Sequence, residues 1–179
     1  MPATRRDSFQ CEQSLWIMSA FTHPPVDGRG GRFNRDFGIY YCAADESVAI
    51  AESSFHRARF LRESRIDKTT QELRVIRAQL GPITLHDLRH LVGDAIYNPD
   101  DYREAQHLGY VLRDAKSFGI HYQSVRAEGE CYGVMRPKVL SDAIHWRYLR
   151  YHYEKGLIVD VESLDGSGSY HVGEVTGEY

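Results

Sequence analysis

Apolar positions along the chain fall into two periods that alternate. Gly38-Ile39-Tyr40-Tyr41-Cys42-Ala43 is a run of strand formers closed by Asp45, so it predicts a buried or half-buried strand. Directly afterwards Ala44, Val48, Ala51 and Phe55 recur at spacings of four, three and four, the stripe of a helix. Asp45 can cap that helix and Glu46 suits its first turn; the pattern fades between Arg62 and Lys68. Upstream, a short helix is expected over about Glu12 to Ala20, and Thr22 to Gly31, with Pro24 and Pro25, must be a loop delivering the chain to Arg32. Gln71 to Leu80 reads as a strand with one wet face, Ile83 to Leu85 as a short strand, and Asp87 to Leu91 as a brief helix.

Asn98-Pro99-Asp100-Asp101 predicts the strongest helix start, with Asn98 as cap and Pro99 in the first helical position. Tyr102, Ala105, Leu108 and Ala115 continue the period, and Gly119 stops it. Strand patterns take over beyond Gly119. Ile120 to Val125 alternates, Glu128-Gly129-Glu130 turns, Cys131 to Met135 returns, Val139–Ile144 and Leu157–Val161 are further strands, and Trp146–Tyr153 favours a strand over the alternative of a helix. Asp165 to Ser169 reads as a flexible linker into a tail. The expected organisation is one α/β (α+β) domain over residues 15–162, with a loose start at 1–14 and a flexible tail at 163–179.

Length and composition agree with one domain: 179 residues, 42% hydrophobic, support a single core. A net charge of -3 argues against nucleic acid as the main partner. The apolar run Leu15 to Phe21 is far short of the roughly 20 residues of a membrane span. No targeting segment is evident, so a cytoplasmic protein with no membrane association is expected, its three separated cysteines reduced. His86 and His90 are four apart but lack a third ligand, so no metal is expected. The aromatic, basic stretch Trp146 to Tyr153 could stack bases, but sheet packing is the commoner use of such residues.

Candidate chemistry concentrates between Gly30 and Arg59. A glycine turn carries Arg32, the strand carries Tyr40 and Tyr41, and the helix places Glu52 and His56 four apart on one face. Taken singly, each has a plain alternative: a solvated surface pair, an ordinary turn, a core tyrosine. The glycines also lack the spacing of a dinucleotide fingerprint.

Four motifs in order, GGRFN, GIYYCA, AIAESSFHRARF and GIHYQSVRAEGECYGVMRP, resemble the RES domain over about Leu15 to Ile158. The resemblance implies a fold similar to ADP-ribosyltransferases, with a mixed, largely antiparallel split sheet flanked by helices. It also implies the toxin of a toxin–antitoxin pair that consumes NAD+ as substrate, either transferring ADP-ribose to a cellular protein or phosphorolysing NAD+. The implied partner is an antitoxin with a helix-turn-helix domain and a C-terminal region that blocks the site. Arg32 matches the arginine of the family's glycine turn, Tyr41 the strand tyrosine, Glu52 the helix glutamate and Ser124 the serine of SVR. The family's further Tyr-Arg strand has no counterpart in the first thirty residues, which leaves that role absent or with Arg29 or Arg32.

The residue chemistry fits these roles. Cleavage of the nicotinamide–ribose bond builds positive charge on the sugar, which a carboxylate such as Glu52 stabilises. A diphosphate suits the planar guanidinium of Arg32. Tyr41 can stack on nicotinamide, Ser124 can hydrogen-bond the ribose or carboxamide, and His56 can orient Glu52 or meet phosphate, with Arg126 a lesser candidate. Outside transferase chemistry, an NAD+ phosphorylase or glycohydrolase and a non-catalytic binding module remain as alternatives.

Overall fold

A computed structural model describes residues 15–23 and 30–170. Helix α1 covers residues 15–22. The chain continues through β1 (Tyr40–Ala43), α2 (Glu46–Glu63), β2 (Lys68–Leu80), β3 (His86–Asp87) and α3 (Arg103–Asp114). Five strands complete it: β4 (Gly119–Gln123), β5 (Glu130–Val134), β6 (Leu140–Glu154), β7 (Leu157–Ser163) and β8 (Ser169–Tyr170). The described strands form two four-stranded sheets, β1-β5-β4-β3 and β2-β6-β7-β8. Every pairing is antiparallel except β3 with β4. This is the expected α/β class with a mixed, split sheet.

Helix α2 joins the two sheets, and its buried residues explain why the single apolar stripe is incomplete. Val48 packs with Phe33, Ile120 and Tyr122 over the first sheet. Ile50, Ala58 and Leu61 pack with Leu149, Tyr151 and Val161 over the second. A helix wedged between two cores needs apolar residues on two sides, so Ile50 and Leu61 are buried although neither lies in the Ala44–Phe55 series.

Several boundaries differ from the sequence reading for identifiable reasons. Asp45 holds the N-cap position of α2 with extended backbone, but its side chain makes no capping bond. The first turn is instead secured by Glu46, which accepts from Arg147 Nε at 2.8 Å. Asn98 does not start α3: its Oδ1 accepts from the N–H groups of Asp100 and Asp101, each at 2.9 Å, and the helix begins at Arg103. The carbonyls of Asn98 and Pro99 are taken by the guanidinium groups of Arg32 and Arg126, which holds the segment in a turn. Residues 83–85 form no strand; the pairing falls at His86–Asp87.

The two strands expected over 139–144 and 146–153 are one, β6, which turns aside at irregularities rather than breaking. Its partner register skips Trp146, between Arg147 opposite Val75 and His145 opposite Ile76. The linker expected from Asp165 is the turn between β7 and β8, where Asp165 accepts from Ser163 Oγ and Ser167 N–H. The remainder of the expected tail, 171–179, and the start, 1–14, lie outside the described residues.

Candidate functional site

The glycine turn, β1, α2 and Tyr102 enclose a cavity of about 460 Å3, inside the range of roughly 300–1,000 Å3 that small-molecule sites occupy. Gly31, Arg32, Tyr41, Glu52, His56 and Tyr102 all line it.

Arg32 enters from the turn and is 6% exposed. Its Nη1 donates to the carbonyls of Ile96 at 3.0 Å and Asn98 at 2.9 Å, and its guanidinium lies 4.7 Å from the Tyr102 ring centre. Nη2 is buried without a hydrogen-bond partner among the described residues. Leaving a buried charged donor unsatisfied costs free energy that an anionic ligand can return.

The turn itself is held by two amides. Gly31 N–H donates to Asn34 Oδ1 at 3.0 Å, and Gln106 Nε2 reaches from α3 to the carbonyls of Gly31 and Asn34 at 3.1 and 3.3 Å. A Cβ on Gly31 would sit 2.6 Å from the Tyr41 ring, so glycine is what allows the turn to approach the strand. Tyr41 in turn donates to Asn34 Oδ1 at 2.7 Å and accepts from Phe33 N–H at 2.9 Å. Its ring lines the cavity while its hydroxyl is enclosed, and that burial raises the phenol above its ordinary pKa.

Glu52 is oriented from the other side. Ser124 Oγ accepts from the N–H groups of Arg126 at 3.0 Å and Ala127 at 3.2 Å, which directs its proton to Glu52 Oε1 at 2.6 Å. Glu52 Oε2 has no hydrogen-bond partner among the described residues. One turn on, His56 meets the Phe55 ring edge-on at 5.4 Å. Desolvation lowers its pKa, opposed by Glu52 and reinforced by Arg126, Arg59 and Arg32, so the imidazole is neutral near pH 7. The thiols of Cys42 and Cys131 also border the cavity, and burial pushes each up to about 12, which keeps them protonated and unreactive.

Residues 8–154 match the RES domain. The chain belongs to the RES domain family. No curated protein sequence matches it. Among solved structures it is similar to a chain of the M. tuberculosis MbcT–MbcA toxin–antitoxin complex. That likeness has 16% identity and a TM-score of 0.43, over 75% of this chain and 92% of the other.

In this RES domain, Arg32, Tyr41, Glu52 and His56 share one cavity, and Ser124 reaches it through its bond to Glu52. Arg126 does not line the cavity. Its guanidinium lies 3.3 Å from the Phe55 ring centre and donates to the Pro99 carbonyl, so it clamps the segment that also receives Arg32. Arg29 falls outside the described residues. Three residues that sequence reasoning passed over complete the site: Asn34, Gln106 and Tyr102. Asn34 stood inside the GGRFN motif and could have been found there; the amide of Gln106 and the ring of Tyr102 carried no local signal.

Proposed function

We propose that this RES domain is the toxin of a toxin–antitoxin pair and an enzyme that binds NAD+, cleaves its nicotinamide–ribose bond and transfers ADP-ribose to a cellular protein. The observation that carries this reading is the pairing, in one cavity, of a carboxylate aimed by Ser124 and a buried guanidinium with one nitrogen unsatisfied among the described residues. In the reaction the glycosidic C–N bond breaks with its electron pair leaving on nicotinamide. The sugar carbon becomes cationic beside Glu52, and an acceptor nucleophile on the target protein closes the new bond and gives up its proton to solvent or a base. Arg32 Nη2 supplies a donor for the diphosphate, and the Tyr41 ring supplies a face for the planar, cationic nicotinamide. The neutral His56 is available to hydrogen-bond substrate without adding charge beside the developing cation.

Incubating the pure protein with adenylate-labelled NAD+, with and without phosphate and with cell lysate, tests this. Label on a lysate protein is the expected result. Free ADP-ribose, or its phosphate ester, with no labelled protein would replace the transferase by a glycohydrolase or phosphorylase. Unchanged NAD+ in every arm would leave only a binding module.

A further inference from the structure

A second cleft, of about 860 Å3, lies between the two sheets. Strands β1 and β2 are each the outermost strand of their sheet, and the cleft is lined by Tyr40 to Asp45 on one side and by the unbroken run Leu73 to Ala78 on the other. Consecutive residues of a strand point to opposite faces, so a run that lines a cleft without gaps is offering its edge, main chain included. Among the described residues, the backbone groups of this run bond only to β6. An open edge of this kind is a template for an added strand.

The arginines of that edge are packed against aromatic side chains, among them two from the neighbouring strand β6. Trp146 is 47% exposed beneath the guanidinium of Arg77, 3.6 Å from its ring centre. Arg74 stands between Trp16 and Tyr148, 5.3 and 5.7 Å from their ring centres, and donates to the Tyr148 hydroxyl at 3.3 Å. Tryptophan, tyrosine and arginine are the residue types that dominate binding hot spots. Arg77 and Arg147 share the carboxylate of Glu46, at 3.6 and 2.7 Å. Asp45 and Glu46 also line the cleft, but Arg74 has aromatic partners alone, with no carboxylate partner among the described residues, so its own charge is left uncompensated on this edge.

The cleft is also continuous with the candidate site. Ala20, Tyr41, Cys42, Ala43, Ala49 and Ser53 line both cavities. An occupant of the cleft therefore abuts the space that the substrate needs.

We propose that this cleft receives an extended, carboxylate-bearing segment of the inhibitory protein partner, added as a strand to the open edge of β2 with an acidic side chain on Arg74. The inference rests on the toxin–antitoxin reading for the identity of the partner. It adds the mode of binding, the register and the charge of the bound segment. Six residues of extended partner chain, about 20 Å at roughly 3.3 Å each, span the run Leu73 to Ala78.

Hydrogen exchange of the full chain, alone and in complex with its antitoxin, reads the proposal directly. Slowed exchange at amides within residues 73–78 is expected. Arg74→Glu should weaken the complex ten-fold or more, with NAD+ turnover and melting temperature unchanged, and a lysine in place of an acidic residue of the bound antitoxin segment should restore it. Trp146→Ala, which leaves the charge in place, should also weaken binding. Exchange unchanged at 73–78 together with wild-type affinity of Arg74→Glu overturns the proposal, and so does protection brought by the modified target protein but not by the antitoxin. NAD+ turnover by the free chain is a separate readout: its absence with protection at 73–78 intact would sink the enzymatic reading and leave the cleft assignment standing.

Discussion

Glu52 and Ser124 illustrate how a single hydroxyl can set a carboxylate. Both lone-pair directions of Ser124 Oγ are engaged by backbone N–H groups, so its proton has one destination. Glu52→Gln keeps an acceptor for that proton and removes the charge. NAD+ cleavage should fall by about 10²–10³-fold with the melting curve unmoved, the size of loss seen when one transition-state stabiliser is deleted. Ser124→Ala keeps the charge and loses its orientation, and a smaller loss of about 10–100-fold is expected from one charge-assisted hydrogen bond. Steady-state kinetics on both variants would check the order; an active Glu52→Gln enzyme would remove Glu52 from the chemistry. His56 gives a pH signature. Its pKa is lowered in the folded protein, so below about 6.5 the unfolded chain takes up the proton more readily and stability falls as pH falls. The drop in melting temperature between pH 7.5 and 5.5 should therefore be smaller in His56→Gln than in the native chain. Equal drops would mean that the imidazole is as easily charged folded as unfolded.

Among elements, α3 has the clearest dependence on a neighbour. Gly109 lies within this helix, where alanine is intrinsically better by about 1 kcal/mol. Here the preference is overruled, because a Cβ on Gly109 would stand 1.8 Å from the Phe33 carbonyl oxygen. The helix thus presses its backbone onto the turn that carries Arg32, and Gln106 on the same helix bonds that turn. Gly109→Ala should destabilise by about 1–3 kcal/mol in chemical denaturation despite its helix propensity, and should weaken NAD+ binding by displacing the turn. A stabilised variant would show that the contact relaxes freely. The elements themselves were largely legible in sequence: β1, α2, α3, β4, β5 and β7 follow from periodicity alone. The start of α3 was not, since Asn98 and Pro99 are recruited by arginines distant in sequence.

At the scale of the whole molecule, α2 contributes to both cores and makes their stabilities interdependent. Leu149, 2% exposed and in the second core, touches neither Arg32 nor Glu52 in any hydrogen bond or ion pair. Leu149→Ala should cost about 2–5 kcal/mol, and the two sheets should still melt in one transition. Two separated transitions by calorimetry would show that α2 does not couple them. The hydrogen bond between Ser53 of α2 and Tyr151 of β6, 2.7 Å long, is a second tie across the same junction.

By itself the sequence determined the periods of its helices and strands, the glycine turn that carries Arg32, and the family motifs that singled out Arg32, Tyr41, Glu52 and Ser124. These are local properties, because periodicity and turn chemistry are settled by residues a few positions apart. Only the tertiary structure decided that Ser124 aims Glu52, that Arg126 clamps a turn outside the cavity, and that Asn34, Gln106 and Tyr102 complete the site. It also decided that β1 and β2 leave their outer edges facing a common cleft. Each of these depends on contacts between segments far apart in the chain, whose geometry is fixed by packing around two cores and not by any short pattern of residues.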